Sequence, residues 1–270
     1  MYRLYDFINR LVGYLGIEIR RNNRPRVVFG NFVDLAQAYE QRLNQLGILL
    51  PPSKLRSMLL ARLIGTPPSE AYFIVEAIEK CKNIRGDVCE FGVAQGETSA
   101  LIANEMAGGN KTLHLFDSFQ GLPTPTEKDQ LKDDIFSLGT MGAYAGKMAC
   151  AEKMVRARLE AISFPANRVR IHRGFVDQVL RNDLTLPTHV NFAYVDFDFY
   201  DPIRQALDFL HRTTSAGSII IVDDYDFFST GVKHAVDEFL TEKNLKELRY
   251  EKRVLDLPNA KFVILTKTKD

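Results

Sequence analysis

The feature that most constrains this 270-residue chain is a change of pattern after Gly86. From that point, short apolar runs alternate with amphipathic stretches of helical length. Runs that are apolar on both faces and are separated by helices are typical of a parallel sheet covered by helices on both sides. The predicted strands are residues 87–92, 112–117, 168–172, 190–197 and 218–223. The predicted helices are residues 97–107, 148–162, 201–212 and 230–243.

Two further apolar runs, residues 247–253 and 260–266, are separated by a polar turn and predict an antiparallel pair that completes the sheet. The predicted fold is therefore α/β, a doubly wound and mostly parallel sheet of seven strands. Proline-containing turns interrupt residues 30–85, which predicts short helices joined by loops. We divide the chain into an N-terminal helical extension or lid, residues 1–85, and a main domain, residues 86–270.

Charge and cysteine content exclude several classes of protein. The 35 basic and 34 acidic side chains leave a net charge of +1, which provides no overall field for nucleic acid. The three cysteines, Cys81, Cys89 and Cys150, form no close pair, which argues against a disulfide framework or a zinc knuckle. No apolar run has the length of a membrane span, and no secretory signal is visible. These features predict a cytoplasmic protein.

The N-terminus carries the basic excess. Residues 1–26 contain six arginines and two acids, and the first 15 residues place apolar side chains on one helical face. We expect this helix to dock on the protein itself or on a second subunit of a homodimer or larger assembly. The alternative is contact with a membrane surface, which arginines and aromatic residues favour.

The first predicted strand ends in a glycine-containing turn that precedes a helix. Gly92 and Gly96 allow close approach of a ligand, but their spacing is not the Gly-x-Gly-x-x-Gly of a dinucleotide site. Asp117 ends the next strand, where a carboxylate can accept hydrogen bonds from both hydroxyls of a ribose. The pair of features predicts a nucleoside ligand without a pyrophosphate, and adenosine fits best.

Four carboxylates follow two other strands. Asp196 and Asp198 end the fourth predicted strand, and Asp223 and Asp224 end the fifth. Strands that neighbour each other lie about 4.8 Å apart, so these acids are expected to crowd together. Clustered acids raise one another's pKa or recruit a cation, and oxygen ligands suit Mg²⁺, Ca²⁺ or Mn²⁺. The alternative is that single acids cap the helices that follow, as we expect for Asp201.

Over residues 58–240 the chain resembles the macrocin O-methyltransferases of the TylF/MycF type. The motifs that carry the resemblance are Glu90-Phe91-Gly92-Val93 with Gly96, the run from Asp117 to Pro123, Gly174-Phe175, Asp196 with Asp198, and Val222-Asp223-Asp224-Tyr225. Two positions differ from the family pattern: Phe197 stands where a glycine is usual, and Ala94 where a tryptophan is usual.

The resemblance implies a class I, Rossmann-like methyltransferase that uses S-adenosylmethionine and Mg²⁺. It implies a cofactor site made by Leu63, Glu90, Gly92, Gly96, Thr98, Asp117, Ser118 and Phe175. It further implies metal ligands at Asp196, Asp223 and Asp224, with Asp198 as the general base.

The function predicted on this basis is methyl transfer to a sugar hydroxyl of a small-molecule or glycan acceptor. A metal that binds two adjacent hydroxyls lowers the pKa of the attacking one, and Asp198 removes its proton. Three alternatives stay open: a metal-dependent catechol or phenol methyltransferase, a glycosyltransferase that uses the Asp-x-Asp motif, and a non-enzymatic scaffold.

Overall fold

The structure is a computed structural model that describes residues 25–45, 53, 55–257 and 260–270. The amphipathic helix expected within residues 1–15, with its docking or membrane contact, lies outside the described residues. Within the described ranges, every helix is too short or too polar to cross a lipid bilayer.

The central sheet has seven strands in the order β3-β2-β1-β4-β5-β7-β6. The strands β1 to β5 pair in parallel, whereas β7 runs antiparallel to both of its neighbours, β5 and β6. This arrangement confirms the predicted doubly wound, mostly parallel sheet. The strands are β1 (Asp87–Phe91), β2 (Leu113–Asp117), β3 (Val169–Arg173), β4 (Val190–Val195), β5 (Thr214–Val222), β6 (Tyr250–Leu257) and β7 (Ala260–Lys267).

Helices cover both faces of this sheet. The described α-helices are α1 (Pro25–Gln45), α2 (Arg56–Leu60), α3 (Pro68–Cys81), α4 (Glu97–Glu105), α5 (Glu152–Ala161), α6 (Val176–Asn182), α7 (Tyr200–Thr213) and α8 (Gly231–Lys243). Alternate side chains of β4 enter different cores, because successive side chains of a strand point to opposite faces. Val195 packs with α6, α7 and α8, whereas Tyr194 packs on the face covered by α3, α4 and α5.

The helices before β1 are joined to the main domain through a buried ion pair. Arg56, on α2, is fully buried and bonds Glu40 of α1 and Glu105 of α4. The expectation of short helices over residues 30–85 is wrong for α1, which has 21 residues. This helix continues through Gly30, since one glycine costs only about 1 kcal/mol relative to alanine. The division into two domains at residue 85 stays a prediction.

A long connection, residues 118–151, covers the carboxyl ends of the strands. It folds back on itself where the amide of Leu122 donates to the carbonyl of Lys147 and the amide of Gly146 donates to the carbonyl of Leu122. Asp129 joins the connection to α7 by accepting a hydrogen bond from the amide of Tyr200, at 2.7 Å. The connection thereby forms one wall over the edge of the sheet at which β1, β2, β4 and β5 end.

Candidate functional site

A cavity of about 810 Å³ lies at the carboxyl ends of the parallel strands. The residues predicted from sequence that line it are Gly92, Asp117, Ser118, Phe175, Asp196, Asp198, Asp223 and Asp224. Four other predicted cofactor residues, Leu63, Glu90, Gly96 and Thr98, do not line it. Leu63 packs with the apolar cluster of α2, α3 and α4, while its neighbours Ile64 and Gly65 reach the cavity.

Gly92 is required by the contact between the ends of β1 and β4. Its φ is +86°, and a Cβ there would lie 1.7 Å from the carbonyl oxygen of Asp196. Sequence reasoning attributed this glycine to the approach of a ligand. The structure shows that the nearest group is the backbone of the strand that carries the acids, so Gly92 sets the distance between the two halves of the site.

Asp117 shapes the glycine-containing turn. Its Oδ2 accepts hydrogen bonds from the amides of Val93 and Ala94, at 2.8 and 2.9 Å, and its Oδ1 accepts one from Phe119 at 2.6 Å. A carboxylate has about four acceptor positions, so these bonds leave capacity for a ligand. Ser118 bonds within its own loop, where its hydroxyl donates to the carbonyl of Gly121 at 3.0 Å. Binding of a ribose by Asp117 stays a prediction.

Three carboxylates, Asp196, Asp198 and Asp224, form what we call the acidic centre. Each offers an oxygen, and these oxygens all lie within 4.8 Å of one another. The backbones of Asp198 and Asp224 have positive φ, +61° and +53°, a conformation that aspartate adopts more readily than most residues. Such backbone conformations cluster at functional sites, where the surrounding structure stabilises them.

Asp223 lies beside the acidic centre but is bound to the protein. Its Oδ2 accepts a hydrogen bond from the hydroxyl of Tyr194 at 2.7 Å, and its Oδ1 accepts one from the amide of Asp224 at 2.7 Å. Sequence reasoning expected Asp196, Asp223 and Asp224 to bind the metal and Asp198 to act as the base. The structure instead groups Asp198 with Asp196 and Asp224, and the individual roles stay predictions.

Loss of solvent makes the charged forms of these acids unfavourable. Burial, followed by the charge of Asp223, raises the pKa of Asp196 and of Asp224 well above the usual aspartate value. Burial raises the pKa of Asp198 to about 7. A cluster of hard oxygen donors whose negative charges repel one another is the type of site that binds Mg²⁺, Ca²⁺ or Mn²⁺. The residues present therefore fit a divalent cation.

Two glutamates lie behind the acidic centre with no hydrogen bond of normal geometry to either carboxyl oxygen, among the residues that the structure describes. Glu70, on α3, is fully buried next to Asp223, and burial raises its pKa well above the usual glutamate value. Glu90, on β1, is also fully buried, and burial raises its pKa to about 8. Sequence reasoning missed Glu70, because an acid in the first turn of a helix is ordinary.

Hydroxyl groups connect the helices before β1 to this region. Thr66 Oγ1 lies 2.8 Å from Thr98 Oγ1 and 3.4 Å from the hydroxyl of Tyr194, which in turn donates to Asp223. Thr98, predicted to shape the cofactor pocket, is thus buried against Thr66 and does not line the cavity. Asp201, expected to cap α7, lies instead in the first turn of that helix and lines the cavity.

The architecture is that of O-methyltransferases of known structure. The O-methyltransferase NovP is 20% identical, with coverage of 89% of this chain and all of the other, at a TM-score of 0.64. CalS11, described as a calicheamicin methyltransferase and as a TDP-rhamnose 3′-O-methyltransferase, is 18% identical over 92% of this chain and 94% of its own, at a TM-score of 0.60. An O-methyltransferase from Bacillus cereus in complex with SAH is 14% identical over 88% of this chain and all of its own, at a TM-score of 0.52.

The sequence itself identifies the family. The sequence model of the macrocin O-methyltransferases (TylF) matches residues 72–250, which is more than half of the chain. This chain therefore belongs to the macrocin O-methyltransferase (TylF) family, and the predictions of that family and of an O-methyltransferase are confirmed. No curated protein sequence matches the chain.

Proposed function

We propose that this chain transfers a methyl group from S-adenosylmethionine to a sugar hydroxyl, assisted by a divalent metal ion at the acidic centre. The observation that carries the proposal is the convergence of Asp196, Asp198 and Asp224 within 4.8 Å at the wall of the cavity. This cavity lies at the carboxyl ends of the strands, where open α/β sheets bind their ligands.

The cofactor is proposed to lie along the ends of β1 and β2. Gly92, Asp117, Ser118 and Phe175 line this part of the cavity. The related fold from Bacillus cereus is described in complex with SAH, which supports the same cofactor class here.

We assign the metal to Asp196 and Asp224, with Asp198 as the general base. A divalent ion bound here would lower the pKa of a hydroxyl that it coordinates. Asp198 lies in the same acidic centre as these two ligands, so it is placed to accept that hydroxyl's proton. Asp223 is held by the Tyr194 hydroxyl and retains lone pairs, so its expected role as a third ligand is part of the proposal.

The experiment that tests this proposal is transfer of a labelled methyl group from S-adenosylmethionine to glycosides and to catechol, with Mg²⁺ or with EDTA. We expect labelled glycosides with Mg²⁺ and little transfer with EDTA. Labelling of catechol in preference to every glycoside would favour the phenol methyltransferase alternative. Transfer that is equally fast in EDTA would contradict the metal assignment.

A further inference from the structure

Two buried histidines lie outside the proposed site and take no part in its chemistry. His114, on β2, and His172, on β3, are 4% and 1% exposed. His114 Nδ1 lies 2.9 Å from His172 Nε2, and the ring planes differ by only 6°. The ring centroids are 5.2 Å apart, which matches this nitrogen–nitrogen distance plus the radii of two imidazole rings. The rings therefore lie end to end in one plane, joined by a single hydrogen bond.

A carboxylate lies at each outer end of this histidine pair. His172 Nδ1 is 2.6 Å from Oδ2 of Asp183, the residue that follows α6. His114 Nε2 is 3.4 Å from Oδ2 of Asp87, the first residue of β1. Phe116 stacks on the ring of His172, with centroids 4.4 Å apart, and covers one of its faces. The two histidines and the two aspartates form what we call the histidine row.

The contacts within the row fix the number of protons that its two rings can hold. A carboxylate only accepts hydrogen bonds, so the ring nitrogen that faces each aspartate carries a proton. The bond between the rings needs one more, since one nitrogen donates and the other accepts. Three protons on four nitrogens satisfy every contact and give the pair a single positive charge. A fourth proton would direct two N–H groups at each other across 2.9 Å and place two positive charges side by side.

Charges around the row favour one positive charge and oppose a second. The described groups that face the row are Asp87 and Cys89 on β1, Lys111 before β2, Arg170 on β3 and Asp183 after α6. The two aspartates stabilise a shared positive charge, and burial keeps the Cys89 thiol uncharged by raising its pKa. Burial lowers the pKa of His172 in spite of its bond to Asp183. The charges of His114 and Arg170 lower it further, so the second positive charge is unfavourable.

The row closes a segment that forms part of the cavity wall. His172 precedes and Asp183 follows residues 173–182, which contain α6 and which we call the wall segment. Residues 174–177 of this segment line the cavity. β3 is an edge strand of the sheet, whereas β2 is held by a strand on each side. Separation of the two rings would therefore displace the end of β3 and the wall segment rather than β2.

We propose that the histidine row is an acid-sensitive switch: one shared positive charge holds the wall segment on the sheet, and a second proton separates His114 from His172 and releases the segment. The proposal goes beyond the proposed function and does not depend on it, because neither a cofactor nor an acceptor takes part. The measurements that test it use the protein alone.

The sign of the effect on stability follows from the proton count. In acid, the unfolded chain binds a proton at each of these two histidines, whereas the folded protein binds one without breaking the row. Because the pKa of His172 is lowered by folding, its contribution to stability is present above the ordinary histidine value of about 6.5 and is lost as the pH falls below it. Acid therefore destabilises the folded protein through this pair.

The first test compares the wild type with His114→Gln by urea denaturation of the full-length protein in EDTA, from pH 7 to pH 4.5. A glutamine amide can donate to the neutral ring of His172 or accept from the protonated one, so it tolerates both states. We expect the folding equilibrium constant of the wild type to fall by up to about tenfold per pH unit below about pH 6, relative to the variant. His234→Gln, at an exposed position of α8, should follow the wild type. Parallel profiles of the wild type and His114→Gln would overturn the proposal.

The second test locates the switch by NMR of the ¹⁵N-labelled wild type, and it decides the proposal even if His114→Gln does not fold. At pH 6.5 we expect three of the four ring nitrogens to carry a proton, with Nε2 of His172 the bare one. Between pH 6.5 and pH 4.5 the amide signals of the wall segment should shift or broaden together with the ring signals of His172. The signals of β7, at the other end of the sheet and without acids or histidines, should stay unchanged. A second proton on His172 that leaves the wall segment unchanged would overturn the proposal.

Discussion

Two regions of this molecule remove charged side chains from water in different ways. At the contact between the helices before β1 and α4, Arg56 is fully buried, and it bonds Glu105 and Glu40. At the acidic centre, Asp196, Asp198 and Asp224 converge, and no basic residue among those described lines the cavity. The first region compensates its charges within the chain, whereas the second leaves like charges together.

The difference separates a structural use of buried charge from a functional one. Removing an ion from water costs several kcal/mol, and an ion pair with good geometry recovers most of it. The Arg56 region meets this condition, so loss of either partner would leave an uncompensated charge where the helices pack. The acidic centre does not, so its carboxylates destabilise the protein, and the proposed cation would offset this cost.

The largest expected effect is a loss of activity when an aspartate of the acidic centre is replaced. Asp198→Asn should lower kcat about 10²- to 10⁴-fold with little change in KM, because the variant cannot accept the proton of the attacking hydroxyl. The measurement is labelled methyl transfer at saturating Mg²⁺, with Asp177→Asn as a control that alters a cavity acid already paired with Arg181. Wild-type turnover by Asp198→Asn would show that another group is the base.

The second prediction concerns the contribution of the Arg56 ion pairs to the stability of the protein. Arg56→Met should lower the free energy of unfolding by about 3–5 kcal/mol, because it leaves the buried carboxylate of Glu105 and the partly exposed carboxylate of Glu40 without their cation. Urea denaturation measures the loss. Arg156→Met, which breaks an exposed pair with Glu152 on α5, is the matched control and should cost less than about 1 kcal/mol. If the two variants lost equal free energy of unfolding, the buried pairs of Arg56 would contribute no more to stability than the exposed pair of Arg156.

The third prediction is a gain in stability, in contrast to the loss expected for Arg56→Met. Asp196→Asn should stabilise the metal-free protein by about 1–2 kcal/mol, since it removes one of the repelling carboxylates. The same variant should lose the stabilisation that millimolar Mg²⁺ confers on the wild type. Urea denaturation in EDTA and in Mg²⁺ measures both effects. A loss of stability in EDTA comparable to that of Arg56→Met would mean that Asp196 is a structural acid.

The fourth prediction concerns the ionisation of Glu90 and the dependence of stability on pH. Burial raises its pKa from 4.5 to about 8, so between these values the folded protein holds a proton that the unfolded chain has released. Stability should therefore fall as the pH rises through this window, with a slope from this group of about 1.4 kcal/mol per pH unit. Urea denaturation in EDTA from pH 5 to pH 8 should show a flatter profile for Glu90→Gln. Identical slopes would place the ionisation of Glu90 outside this range.

Local signals in the amino-acid sequence were enough to define the sheet and the edge at which the site lies. The predicted strand at residues 112–117 differs from β2 by one residue, and the carboxyl-terminal pair proved antiparallel. Apolar runs and turn residues are local features, and parallel strands bring their ends to one edge. For that reason the strand-end acids Asp117, Asp196 and Asp224 could be identified from residue type and spacing alone.

The arrangement of the acids, in contrast, follows from tertiary packing. The left-handed backbones of Asp198 and Asp224 group these two carboxylates, while the Tyr194 hydroxyl holds Asp223. Glu70 reaches the site from α3, far away along the chain. These contacts depend on how separate elements pack, so residue type and spacing do not reveal them. Residue types and their spacing thus determine at which edge of the sheet the carboxylates lie. The packing of elements that are distant in the sequence determines which of these carboxylates converge at the acidic centre.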